Sequence, residues 1–202
     1  MTVTLAIIIV TCAVSFACFQ NPLLLQSLLF WPPGVTRGEP YRLVTHGFVH
    51  ADGQHLLFNM ITLYFFGRAI EPFFERYIGP VGFGLFYLGG IVAAILPSYI
   101  QHYRDSRYRS LGASGAVSAV LFTFILLSPW SLIYVFFLPV PAILYAAVYT
   151  AYSFYGAQRG GDNINHSAHL WGAAYGVVFA LIMEPRLWAN FINRLLAPLF
   201  GG

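Results

Sequence analysis

The stretch Arg109 to Val120 reads RSLGASGAVSAV and sets Ser114 between Gly112 and Gly115 at the start of an apolar run. Two readings fit it. Small residues let membrane helices approach closely, and serine is one of them. Alternatively, the glycines clear space around a nucleophile, which then needs a proton acceptor from elsewhere in the chain. Histidine is the usual acceptor, and five of the six histidines fall in two places: His46, His50 and His55 ahead of one apolar segment, His166 and His169 ahead of another. In HLWGAAYG, His169, Gly172 and Gly176 share one stripe at i, i+3 and i+7, so a histidine sits one turn above a GxxxG face that draws a partner helix close. The segment around Ser114 has the smallest face available to it. In HLLFNM, His55 and Asn59 are four apart on one helix face and can aim donors at one spot. With backbone N–H groups near Ser114 they could stabilise an oxyanion; they could equally well hydrogen-bond neighbouring helices and pack the bundle.

Positioning such groups falls to helices in a bilayer. Of the 202 residues, 58% are hydrophobic and 8% charged, far below the quarter or so of charged residues usual in soluble domains. A span needs roughly 20 apolar residues, and about six segments qualify: 1–21, 54–75, 79–100, 110–128, 139–158 and 167–183. They consume most of the chain and leave one all-α, polytopic integral domain over residues 1–202. The first segment lacks the basic n-region of a secretory signal and is expected to be retained. Its Cys12 and Cys18 fall on different helix faces and read as packing or lipid-facing residues. The long first loop, 22–53, is apolar enough to lie partly in the membrane interface, with Trp31 and Tyr41 as anchors. The uncharged fourth connection, SPWSLIYVFFLPVP, is expected at the interface too, and the tail from about residue 185 to 202 reads as an amphipathic helix on the membrane. The net charge of +3 is carried by arginines alone. They lean weakly toward placing the odd loops in the cytoplasm, and they lie too far apart for a nucleic-acid patch. No internal repeat supports a transporter of duplicated halves.

HADGQHLLFN at 50–59, GASG at 112–115 and AHLWGAAYG at 168–176, in that order and with Tyr41 and Arg42 ahead of them, resemble the signature motifs of the rhomboid intramembrane serine proteases. The resemblance implies a six-helix bundle with a long amphipathic first loop. It implies a dyad of Ser114 as nucleophile and His169 as general base, and an oxyanion hole to which His55 and Asn59 contribute. It gives His50 an organising role and makes Glu71 a structural contact. The cavity would open to the extracytoplasmic side, against the charge count. Substrates would be transmembrane proteins, no cofactor or metal is called for, and the membrane expected is the bacterial inner (plasma) membrane. One departure concerns Ser118, where many members carry a tyrosine stacked on the catalytic histidine; either another ring, with Tyr175 and Tyr87 as the candidates, orients His169, or the histidine is held more loosely. His166 receives no role beyond a polar residue at a helix mouth.

Two other classes compete. An inactive rhomboid-like binder typically loses nucleophile or base, and both are present. A metal-dependent membrane hydrolase could draw on His46 and His50 at i, i+4, but HExxH is missing and zinc catalysis normally takes three protein ligands.

Overall fold

A computed structural model describes residues 1–135, 137–159 and 164–200. The helices in chain order are α1 (Val3–Gln20), α2 (Pro22–Leu28), α3 (Pro32–Thr36), α4 (Arg42–Thr45), α5 (Gly53–Thr62), α6 (Arg68–Ile78), α7 (Gly82–His102), α8 (Ser114–Leu127), α9 (Ala142–Arg159), α10 (His166–Met183) and α11 (Arg186–Phe200). Strands β1 (Leu132–Val135) and β2 (Leu138–Pro141) form an antiparallel hairpin between α8 and α9. Helices α1, α7 and α10 are long and apolar enough to cross a membrane, and α8 is a shorter apolar helix. A π-helical turn, Leu63–Gly67, joins α5 to α6.

Composition explains the helices, and packing explains their order. Gly172 and Gly176 of α10 lie so close to α8 that a Cβ on them would strike the carbonyl oxygens of Gly115 and Ala119. Thr123 closes the seam by donating to the Gly176 carbonyl at 3.0 Å. Aromatic residues fill the other side of α7: Phe74 stacks on Phe86 at 4.1 Å between centroids, and Phe86 on Tyr175 at 5.5 Å. Glu71 fastens α6 to the start of α1, accepting from the Val3 amide at 2.6 Å, the Thr4 amide at 3.1 Å and the Thr4 hydroxyl at 2.6 Å. A carboxylate there satisfies orphan first-turn N–H groups and complements the helix dipole.

The first loop is ordered by short helices, with buried Arg42 at their centre. Its guanidinium donates to the carbonyls of Gln26 at 2.7 Å and Leu29 at 2.9 Å and pairs with Glu39 at 2.5 Å. Cys18 is buried against Leu29 and Val49, and both cysteines are free. Trp31 is half-buried and receives the guanidinium of Arg109 at 4.9 Å, whereas Tyr41 is exposed.

Several expected boundaries shift. Residues 110–113 are not helical but extended and turned ahead of Ser114, because Ser110 pairs with Phe30 of the first loop. Residues 139–141 belong to a strand, so the chain is not strictly all-α. The uncharged fourth connection saturates its backbone as a hairpin and leaves Leu132, Tyr134, Phe137 and Leu138 exposed. The tail forms the expected helix, but it also docks: Leu187 packs on Leu126 and Ala180, Trp130 donates to the Arg194 carbonyl at 3.1 Å, and Arg194 donates to the Leu127 carbonyl. Residues 201–202 of that expected tail lie outside the described residues.

Candidate active site

Ser114 is the first residue of α8, and His169 lies in the first turn of α10. The glycine seam fixes the distance between these two helix starts, and Ser114 Oγ lies 2.8 Å from His169 Nε2. Two motifs 55 residues apart are thereby brought into hydrogen-bond contact. With Nε2 as acceptor, this geometry lets the imidazole withdraw the hydroxyl proton as Oγ attacks a carbonyl. The pair borders a cavity of about 850 Å³ whose lining includes His55, Asn59, Ser118 and Tyr149.

The residues before Ser114 are held from the first loop. Phe30 and Ser110 exchange backbone hydrogen bonds of 2.9 and 3.2 Å, and the Gly112 amide donates to the His46 carbonyl at 2.9 Å. Gly112 has φ +112, a conformation that L side chains rarely adopt, and the His55 ring fills the place a Cβ would take. His50 adds a strut. The Ala113 amide donates to its Nε2 at 3.4 Å, so Nδ1 carries the proton and donates to Ser15 Oγ at 3.0 Å; Ser15 in turn donates to the Phe48 carbonyl at 3.0 Å. With the Gly112 and Ala113 amides engaged, the donors the helix start can offer an oxyanion are the first-turn amides from Ser114 onward.

His55 and Asn59 face the same cavity. Asn59 donates one amide proton to the His55 carbonyl at 2.9 Å, which orients the side chain and leaves its second N–H for another acceptor. The His55 ring meets His50 edge-on at 4.9 Å. The i, i+4 pair His46 and His50 is not arranged as metal ligands: His46 Nδ1 bonds the Arg42 carbonyl at 3.0 Å, and both His50 nitrogens are engaged as described. Burial pushes the His46 imidazole down to about 4, and burial, aided by neighbouring His55, pushes His50 down to about 3. Both remain neutral near neutral pH.

The expected substitute rings are corrected. Tyr87 is fully buried in the aromatic core, and Tyr175 donates to the Phe86 carbonyl at 3.2 Å, so both rings serve the α7 side of the bundle. The ring of Tyr149 on α9 stacks on His169, at 5.8 Å between centroids and 22° between planes, and the His166 ring meets His169 edge-on at 6.0 Å. No spacing within α9 distinguishes Tyr149 from Tyr145 or Tyr152, so the sequence carries no signal for this ring. His166 is buried at the start of α10, where it fills the space beside Gly156 and meets Tyr152 edge-on at 5.1 Å.

Comparison with known proteins finds the rhomboid domain family model over residues 37–186. The chain is 34% identical to RHOMBOID-like protein 12, mitochondrial, of Arabidopsis thaliana, over 82% of this chain and 53% of that protein. It is 29% identical to the presenilin-associated rhomboid-like protein, mitochondrial, of Mus musculus, over 91% of this chain and 49% of the relative. It is 36% identical to the rhomboid protease GlpG of Haemophilus influenzae, over 41% of this chain and 39% of that protein. The chain thus spans about half the length, or less, of these relatives. The expectation of a bacterial inner membrane is overturned, because the two relatives matched over most of the chain carry mitochondrial names.

Proposed function

The chain belongs to the rhomboid family of polytopic membrane proteins, and from that premise we propose that it is an intramembrane serine protease that cleaves transmembrane protein substrates with a Ser114–His169 dyad. The observation that carries this reading is the 2.8 Å contact between Ser114 Oγ and His169 Nε2 on the wall of a cavity. Oγ attacks the scissile carbonyl while Nε2 takes its proton. The first-turn amides of α8, with Asn59 and His55, receive the developing negative charge. His169 then returns the proton to the leaving amine, and a water activated by the same imidazole releases the acyl group.

The chain crosses the bilayer six times, through α1, α5 with α6, α7, α8, α9 and α10. The length of α8 supports a sunken site. Its 14 residues rise only about 21 Å, against about 30 Å of hydrocarbon, so a nucleophile at its N-terminus lies on the order of 9 Å below the surface. His46, Ala51 and Asp52 of the first loop and residues 110–112 line the cavity at that end. The organelle membranes named for the relatives are the compartment this reading favours.

The test is cleavage of a transmembrane substrate by purified protein in detergent or liposomes, with fluorophosphonate labelling alongside. Ser114→Ala and His169→Ala each abolish cleavage and labelling, and the double variant is no worse than either, since nucleophile and base act as one unit. Chelators leave the activity unchanged. Cleavage by metal-stripped Ser114→Ala protein at the rate of the parent protein would refute the assignment.

A further inference from the structure

Ser118 of α8 stands four residues after the nucleophile and carries no ring that could support His169. The ring arrives from a different helix and is anchored at both ends. Tyr149 lies against His169 in an offset, near-parallel stack, 5.8 Å between centroids with 22° between planes. Its hydroxyl is 2.6 Å from Ser118 Oγ. Ser118 has one hydroxyl proton, and that proton is directed at the Ser114 carbonyl at 2.8 Å, so Tyr149 is the donor in the shorter contact. Tyr145 stacks on the same ring at 5.7 Å, and Phe122 of α8 abuts it at 5.7 Å.

We propose that Tyr149 is a positioning residue that holds His169 in line with Ser114, and that its hydroxyl, latched on Ser118, makes this alignment depend on α9 lying against α8. The inference rests on the dyad reading above. A near-parallel aromatic face restrains imidazole rotation and favours the imidazolium that forms when the serine proton is taken. Much of α9 is turned away from the bundle, with Leu144, Val148, Tyr152 and Phe154 exposed, while Tyr145 and Tyr149 form part of the cavity wall. Any outward displacement of α9 that admits a substrate helix breaks the hydrogen bond to Ser118 and the stack on His169 together. Chemistry therefore follows the return of α9, and the wall residue Tyr149 acts opposite to its neighbours: removing bulk elsewhere on α9 eases entry, whereas removing this ring slows the chemical step.

The experiment measures kcat and KM for a transmembrane substrate, and the rate of fluorophosphonate labelling, with the full chain in detergent micelles and thermal melting of each variant. Tyr149→Ala lowers kcat about tenfold with KM within about twofold, the scale of a lost stacking contact on a charged transition state. Tyr149→Phe and Ser118→Ala each lower kcat about threefold, and their combination is no worse than Ser118→Ala alone, because Ser118→Ala already deletes the hydrogen bond that Tyr149→Phe removes. Adding Ser118→Tyr to Tyr149→Ala restores most of the lost kcat, since a ring then reaches the vacated space from α8. Leu144→Ala, on the exposed face of α9, keeps the parent kcat. Full kcat in folded Tyr149→Ala, a raised KM at unchanged kcat, or additive losses in Tyr149→Phe with Ser118→Ala each overturn the positioning role; if Tyr149→Ala does not fold, the Phe and Ser118 variants decide. Continued cleavage by Ser114→Ala would instead remove the dyad reading itself, so the two failures are distinguishable.

Discussion

Gly172→Ala is the substitution whose consequence follows most directly from the seam between α8 and α10. A Cβ at position 172 collides with the Gly115 carbonyl oxygen, backbone that has no rotamer into which to retreat. Ordinary contact requires the helices to separate by roughly 1 Å at that level. His169 is three residues before Gly172 and Ser114 immediately precedes Gly115, so the separation falls on the 2.8 Å contact between base and nucleophile. A misplacement of about 1 Å costs on the order of a hundredfold in rate, close to 2.7 kcal/mol of barrier, while overpacking costs about 1–3 kcal/mol of stability. Gly176→Ala meets the Ala119 carbonyl one turn deeper. It destabilises similarly but disturbs the dyad less, because α10 can tilt about the intact upper contact. The assay is kcat/KM for a transmembrane substrate together with the melting temperature of both variants. Unchanged kcat/KM in Gly172→Ala, or equal losses of activity in the two variants at equal loss of stability, would refute the view that the seam sets the dyad distance.

Asn59→Ala removes a donor facing the cavity and lowers kcat by about 3 kcal/mol of transition-state stabilisation with KM nearly unchanged; a raised KM at full kcat counts against the oxyanion role. Acid destabilises the fold through His46 and His50: their native values of about 4 and about 3 lie below the ordinary 6.5, so the unfolded chain takes up protons first. Stability is complete above about pH 6.5, is reduced by about 2 kcal/mol per histidine at pH 5, and continues to fall toward pH 4 and 3. Melting temperatures at pH 7.5 and 5 check this, and the drop should be smaller in His46→Gln; a drop of equal size in that variant contradicts the assignment.

The reach of the sequence follows from the range of the forces it encodes. Helix periodicity is local, so the shared face of His55 and Asn59 and the stripe of His169, Gly172 and Gly176 are legible from spacing alone. The apolar spans are legible because a bilayer leaves a backbone few alternatives to helix. Small residues at 112–119 and 172–176 named the two helices that pack most closely, since a missing side chain is itself the packing signal. Which tyrosine stacks on His169 could not be read this way. Tyr87, Tyr149 and Tyr175 are all aromatic residues on apolar helices, and the choice depends on the depth and crossing angle of α9 against α8, set by the whole packed core. The same holds for the loop before Ser114, whose shape comes from Phe30, His46 and His50 far away in sequence, and for Glu71, whose partners Val3 and Thr4 lie at the other end of another helix. Local spacing determines the face on which a side chain stands; only tertiary packing determines what stands opposite it, because contacts between helices depend on rigid-body positions that no single segment specifies.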